Sequence, residues 1–226
     1  MKFILIVTCF VMTFTSNASA ADEAPFARRN FTLSMTLEEF RNEPHPDSEE
    51  WPSAYPVCST DQISDNILAL IELKPTDGEP WHDAGLIKCY HVWRHGSGAL
   101  GIGQAGLMLG DIGSATEYYF MKNDQGIDIL FQIVSGAPSA EFDKVLALFQ
   151  QKYGPPKSAL EDVVSNKIGG TFSRGIVTFA NSTSEIVLTE YDGTLAKMRI
   201  EYTYKPLEDK YIKKLKELIA QQSEKL

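Results

Sequence analysis

Residues 114 to 134 read "SATEYYFM", "KNDQG" and "IDILFQIV": two β-branched and aromatic runs around a polar turn closed by Gly126. That is the pattern of an antiparallel hairpin. A helix follows at once. Phe142, Val145, Leu146, Phe149 and Tyr153 repeat at the i, i+3, i+4, i+7, i+11 spacing of one helical face. Ser139 stands where an N-cap is expected, Glu141 and Asp143 fall in the first turn, and Gly154 with Pro155 and Pro156 ends the helix. Strands that follow one another through short turns are expected to pair antiparallel.

The flanking sequence extends the alternation. In "SMTLEEF", Thr36 suits an N-cap, Glu39 is its capping-box partner, Met35 is placed to staple onto Phe40, and Pro44 stops the helix. Four prolines at 44, 46, 52 and 56 make an extended connector, onto which Trp51 and Tyr55 are read as hydrophobic pins. The "ILALIEL" run at 67–73 suits either a strand or the end of a helix begun near Ser59; "PTDGEP" is a turn and "LIKCYHVWRH" a strand. After a loop beyond Pro156, "GGTFSRGIVTFA", "SEIVLTEY" and "LAKMRIEYTY" predict three strands, and Pro206 opens a last helix with Leu207, Tyr211, Leu215 and Leu218 on one face. The order predicts an α+β fold: antiparallel sheet with helices packed on one face. It is read as a single domain over 21–226, with possible helix-plus-strands sub-repeats at 31–135 and 136–226.

The first twenty residues carry Lys2, an apolar run from Phe3 to Phe14, and Ala18-Ser19-Ala20. This is the pattern of a secretory signal cleaved after Ala20, and the run is too short to span a bilayer. Cys9 follows Ile6-Val7-Thr8, which is not a lipid-attachment sequence. Lys2 leaves with the signal, so 21 basic residues become 20 against 30 acidic ones, a net charge of −10. So acidic a chain is not expected to bind nucleic acid, whose phosphates demand clustered Lys and Arg. Cys58 and Cys89 remain. In an exported chain they are expected to form one disulfide, worth about 3.5 to 4 kcal/mol by loop closure, with a pair of thiol or metal-thiolate side chains as the alternative.

Three motifs invite a chemical reading. Gly101, Gly103 and Gly106 match G-x-G-x-x-G, but no helix pattern follows and no acidic residue about 20 positions on stands in the right context, so a connection between strands is expected and no cofactor. His91 and His95 on a strand would share a face with Cys89 and Trp93, with His82 and Asp83 upstream; this is the place a metal or hydrolytic site would occupy. Ser97 lies in Arg94-His95-Gly96-Ser97-Gly98, which is not a nucleophile elbow. No catalytic, cofactor or metal residue is therefore assigned.

The segments "FDKVLALFQQKYGPP", "NKIGGTF", "EIVLTEY" and "MRIEYTYKPLEDKY" resemble a group of small exported bacterial proteins of unknown function, over roughly residues 110 to 215. Those proteins share a "YYF" hairpin before the helix and a K-Y-G-x-P end to it. "SMTLEEF" and the helix-then-strands order are more loosely similar to outer-membrane-assembly lipoproteins and β-lactamase inhibitor proteins, which are binding modules. The resemblance implies a periplasmic or secreted, non-catalytic protein that binds another protein or an envelope component. A small hydrolase or metal-dependent enzyme using His82, His91 and His95 is the alternative.

Overall fold

The computed structural model describes residues 23–62, 73, 80–94, 102–165 and 170–223. The expected signal peptide, most of the ambiguous 67–73 run, nearly all of "PTDGEP", and 95–101 with His95, Ser97 and Gly101 lie outside the described residues.

A short hairpin, β1 (Ala27–Arg28) and β2 (Phe31–Thr32), precedes α1 (Leu37–Asn42), whose capping box between Thr36 and Glu39 is formed in full. Then come β3 (Tyr55–Cys58), α2 (Pro80–Asp83), β4 (Ile87–Arg94), β5 (Ile102–Gln104), β6 (Leu107–Leu109), β7 (Ile112–Lys122) and β8 (Asp128–Pro138). After α3 (Phe142–Tyr153) follow β9 (Ser158–Ser165), β10 (Thr171–Ala180), β11 (Ser184–Thr189), β12 (Lys197–Tyr204) and α4 (Lys205–Ser223). Strands β3 to β12 form one ten-stranded sheet in the order β3-β4-β7-β8-β12-β11-β10-β9, with β5 on β4 and β6 on β7. The described strand pairings are antiparallel. The fold is thus α+β and mainly sheet.

Alternation along β7 sends Tyr118 and Phe120 to one side and Tyr119 and Met121 to the other. The first side carries the larger core: Tyr118, Phe120, Ile133, Ile186, Leu188, Ile200 and Tyr202 from the sheet, Phe40 from α1, and Phe142, Val145 and Phe149 from α3. Each of those α3 side chains contributes about 1.5–3 kcal/mol on burial, and together they fix the helix to the sheet. The second cluster joins Met121, Ile129 and Phe131 to Trp81 of α2 and Leu207 of α4, with Tyr211, Leu215 and Leu218 packed against it. Helices α1 and α3 belong to the first cluster and α2 and α4 to the second, so they are not all gathered on one face. The β7–β8 ladder pairs Tyr119 with Gln132 and Phe120 with Leu130, skipping Phe131, and this bulge lets Phe131 reach the second cluster.

Two details differ from the sequence reading. Ser139 does not cap α3: it begins a 3-10 turn (Ser139–Glu141), its hydroxyl donates to the Leu195 carbonyl at 2.6 Å, and the helix starts after Glu141 without a side-chain cap. And the stretch read as a loop after Pro156 is β9, an outer strand paired with β10 over eight residues. It is exposed along almost its whole length, Leu160 and Val163 included. Of the two expected pins on the proline-rich connector, Trp51 packs edge-on to Trp93 at 5.5 Å, whereas Tyr55 opens β3 with its side chain exposed and pins nothing among the described residues.

Candidate functional site

The structure sets His82 and His91, which the sequence placed together, in different surroundings. His82 lies in α2 with its side chain 39% exposed and its Nδ1 3.5 Å from Asp83 Oδ1. His91 is fully buried in β4, ringed by Phe31, Phe40 and Tyr118 at 5.0–5.3 Å between centroids. Cys89 is bonded to Cys58, its direct opposite in the β3–β4 ladder. The neighbour His91 does acquire is His45, 5.0 Å away from the proline-rich connector, which the sequence reading passed over. Burial, with His45 alongside, holds the His91 imidazole down to about 3, and burial lowers His45 as well. Both are therefore neutral near pH 7. Neither His91 nitrogen, nor His45 Nε2, nor the Tyr118 hydroxyl has a hydrogen-bond partner among the described residues. Among those residues, no three or more His, Cys, Asp or Glu side chains are grouped to hold a metal.

The glycine motif also resolves into strand geometry. Gly103 sits in β5 opposite Trp93, and the chain runs on into β6. A Cβ on Gly106 would lie 2.2 Å from the Ser114 carbonyl oxygen of β7. Gly106 is thus glycine because two backbones touch there, which accounts for it without a phosphate.

Ser114 leads to the feature that the sequence did not reveal. Arg28, on β1 and only 4% exposed, donates from Nη2 to Ser114 Oγ at 2.8 Å; Ser114 in turn donates to the Leu107 carbonyl at 2.6 Å. The Arg28 Nε has no partner among the described residues. The buried Arg28 forms the floor of a cleft of about 200 Å³ that is lined also by Arg29, by Met108, Leu109 and Gly110, by Leu148, Phe149, Lys152 and Tyr153 of α3, and by Tyr202 of β12. Arg29, at the turn between β1 and β2 with φ +59°, pairs with Asp47 at 2.8 Å. The other Asp47 oxygen accepts the Met108 N–H at 2.8 Å, and the Asp47 N–H donates to His45 Nδ1 at 3.3 Å. Tyr153 donates to the Ala27 carbonyl at 3.0 Å, locking α3 to β1.

Three cations therefore face one small space, and Asp47 is the one carboxylate bonded to them among the described residues. The crowding is visible in Lys152, whose ammonium is lowered by burial and by the Arg28 and Arg29 charges. Burial pushes the Tyr202 phenol up against the pull of Arg28. In a chain of net charge −9, this is a local excess of positive potential.

No protein-family profile, curated protein or solved structure matches the chain. What the cleft can do is argued from its atoms. Ser114 has its proton committed to a carbonyl and its lone pair to Arg28, so it is not paired with a general base. The histidine pair lies in an aromatic core, and the described bonds give it no nucleophile to activate. The arrangement can attract, orient and neutralise an anion. The available signal in the sequence was Arg28-Arg29 between Phe26 and Phe31, a cationic pair within an aromatic frame.

Proposed function

We propose that this protein is an exported, non-catalytic binding module of the bacterial cell envelope, acting in the periplasm or outside the cell, and that it holds an anionic group of its ligand in the Arg28–Arg29–Lys152 cleft. The observation that carries the reading is the convergence of three cationic side chains from β1, the adjoining turn and α3 on one space, in an otherwise acidic chain. Export after cleavage at Ala20 belongs to the same proposal. The Cys58–Cys89 bond supports an oxidising compartment, and no helix among the described residues is long and apolar enough to cross a membrane. The proposed likeness to small exported α+β proteins, and the division into halves at 31–135 and 136–226, draw support from the order of elements: α1 precedes β3 to β8, and α3 precedes β9 to β12.

The test is calorimetric titration of the purified protein, at low ionic strength and pH 7.5, with inorganic phosphate, methyl sulfate and propionate. At least one anion binds, and Arg29→Gln with Lys152→Gln weakens it. No binding of any of the three overturns the proposal. Unchanged binding in the double variant overturns the assignment to this cleft. His82→Ala leaves the titration unchanged.

A further inference from the structure

Resting on that reading, we infer that the cleft is built for the dianionic phosphate of a phosphomonoester, with the organic part of the ligand outside it. Size is the first argument. At about 200 Å³ the cleft is below the 300–1,000 Å³ typical of sites that enclose a whole small molecule, yet it has ample room for a phosphate head. The half-buried Met108 and Leu148 in its lining offer apolar surface to whatever the head is attached to.

Charge is the second. Arg28, Arg29 and Lys152 against Asp47 leave two positive charges, and the C-terminal end of α3 returns about half a negative charge. The surplus exceeds what a carboxylate or a sulfate monoester would neutralise. A phosphate monoester, at close to two negative charges above its second ionisation near pH 6, matches it.

Direction is the third. The cations belong to β1, to the β1–β2 turn and to the last turn of α3, so three separately held donors line the cleft. A carboxylate presents two oxygens in a plane, whereas a phosphomonoester presents three terminal oxygens in a tripod. Arg28 is anchored by Ser114 with its Nε still unpartnered, so a buried donor is held ready at the floor. Lys152, lowered by burial and by the Arg28 and Arg29 charges, is relieved of that repulsion when a dianion sits beside it.

The experiment titrates the purified protein with glycerol 1-phosphate, inorganic phosphate, methyl sulfate and propionate at pH 7.5. The phosphates bind at least roughly ten-fold more tightly than sulfate or propionate. Lys152→Gln weakens phosphate binding by roughly ten-fold, the scale of one lost charge-assisted contact. Arg28→Lys keeps a floor charge without the fork and also weakens phosphate; circular dichroism reports whether it folds, and Lys152→Gln decides the matter if it does not. Preference for sulfate or propionate overturns the phosphate inference and leaves anion binding standing; silence to all four overturns both. Co-sedimentation with phosphatidic acid vesicles, against phosphatidylcholine vesicles, assigns the source. Retention on the acidic vesicles identifies a lipid head, and soluble binding without retention identifies a free phosphomonoester, each upholding the inference.

Discussion

The Lys88 ammonium lies 3.2 Å from Glu117 Oε1, and the pair is enclosed by the rings of Trp81, Tyr90 and Tyr119, each 5.1–5.8 Å from the charge. The Tyr90 hydroxyl donates to the same carboxylate at 2.6 Å and Tyr119 donates to its other oxygen. Burial pushes Glu117 up, and Lys88 with the two phenols more than reverses it, so the carboxylate stays ionised beneath the aromatic shell.

Removing one partner leaves the other charge stranded in that shell. Lys88→Met is expected to destabilise the fold by about 3 kcal/mol, whereas Lys88→Met with Glu117→Gln recovers most of the loss, because the penalty is the uncompensated charge more than the missing attraction. Urea unfolding of the two variants checks this. A double variant no more stable than the single one contradicts it.

Gly106 rests on the β7 backbone, where an added Cβ would meet Ser114 O at 2.2 Å. Backbone cannot swing aside as a side chain can. Gly106→Ala is expected to cost about 2–3 kcal/mol by overpacking and to disturb the Ser114 anchor of Arg28. The paired readout is the denaturation midpoint and phosphate affinity. A wild-type midpoint refutes the steric account.

His91 gives a pH dependence of definite sign. Its imidazole is held down to about 3 in the folded chain against 6.5 ordinarily, so the unfolded chain takes up a proton first as the medium acidifies. The stability is complete above about pH 6.5 and drains as the pH falls toward 3, at up to roughly 1.4 kcal/mol per pH unit. His45, also lowered by burial, acts in the same direction. Unfolding free energy is expected to drop by about 2 kcal/mol between pH 7.5 and 5, and His91→Phe, which also removes two unpartnered nitrogens, flattens the profile. An equally steep profile in the variant would exclude His91 as its source.

The Cys58–Cys89 bond joins facing residues of β3 and β4 and ties the proline-rich connector to the sheet. Replacing both cysteines with Ala is expected to lower stability by about 2–4 kcal/mol. Guanidinium unfolding with and without reductant measures it, and coincident curves would contradict it.

Local periodicity made part of this fold readable. The Thr36–Glu39 box, the α3 stripe and the β7–β8 hairpin are each specified within a dozen or so residues, and each formed where expected. Strand β9 was hidden for a physical reason: with both faces wet, "SALEDVVS" has no buried side to impose alternation, and only the ladder to β10 makes it a strand. The cleft was hidden for another. Arg28, Lys152 and Tyr202 are brought together by tertiary packing alone. His91 was noticed, but the partners it acquires, Phe31, Phe40 and His45, arrive from distant elements and left no local signal.

The Tyr153 bond to Ala27 spans 126 positions, and the Phe26 N–H reaches Ser184 Oγ across 158. Contacts of such separation form late, since the chain must close its largest loops before they return any energy. The cleft is therefore among the last parts of the molecule to exist. A nascent or nicked chain that already holds the β7–β8 hairpin has nothing with which to grip a ligand, and a bound ligand stabilises only the finished product. On the proposed reading, occupancy of the cleft would be a chemical report that folding is complete, and a ligand-dependent rise in resistance to proteolysis covering both ends of the described chain at once is the expected sign of it.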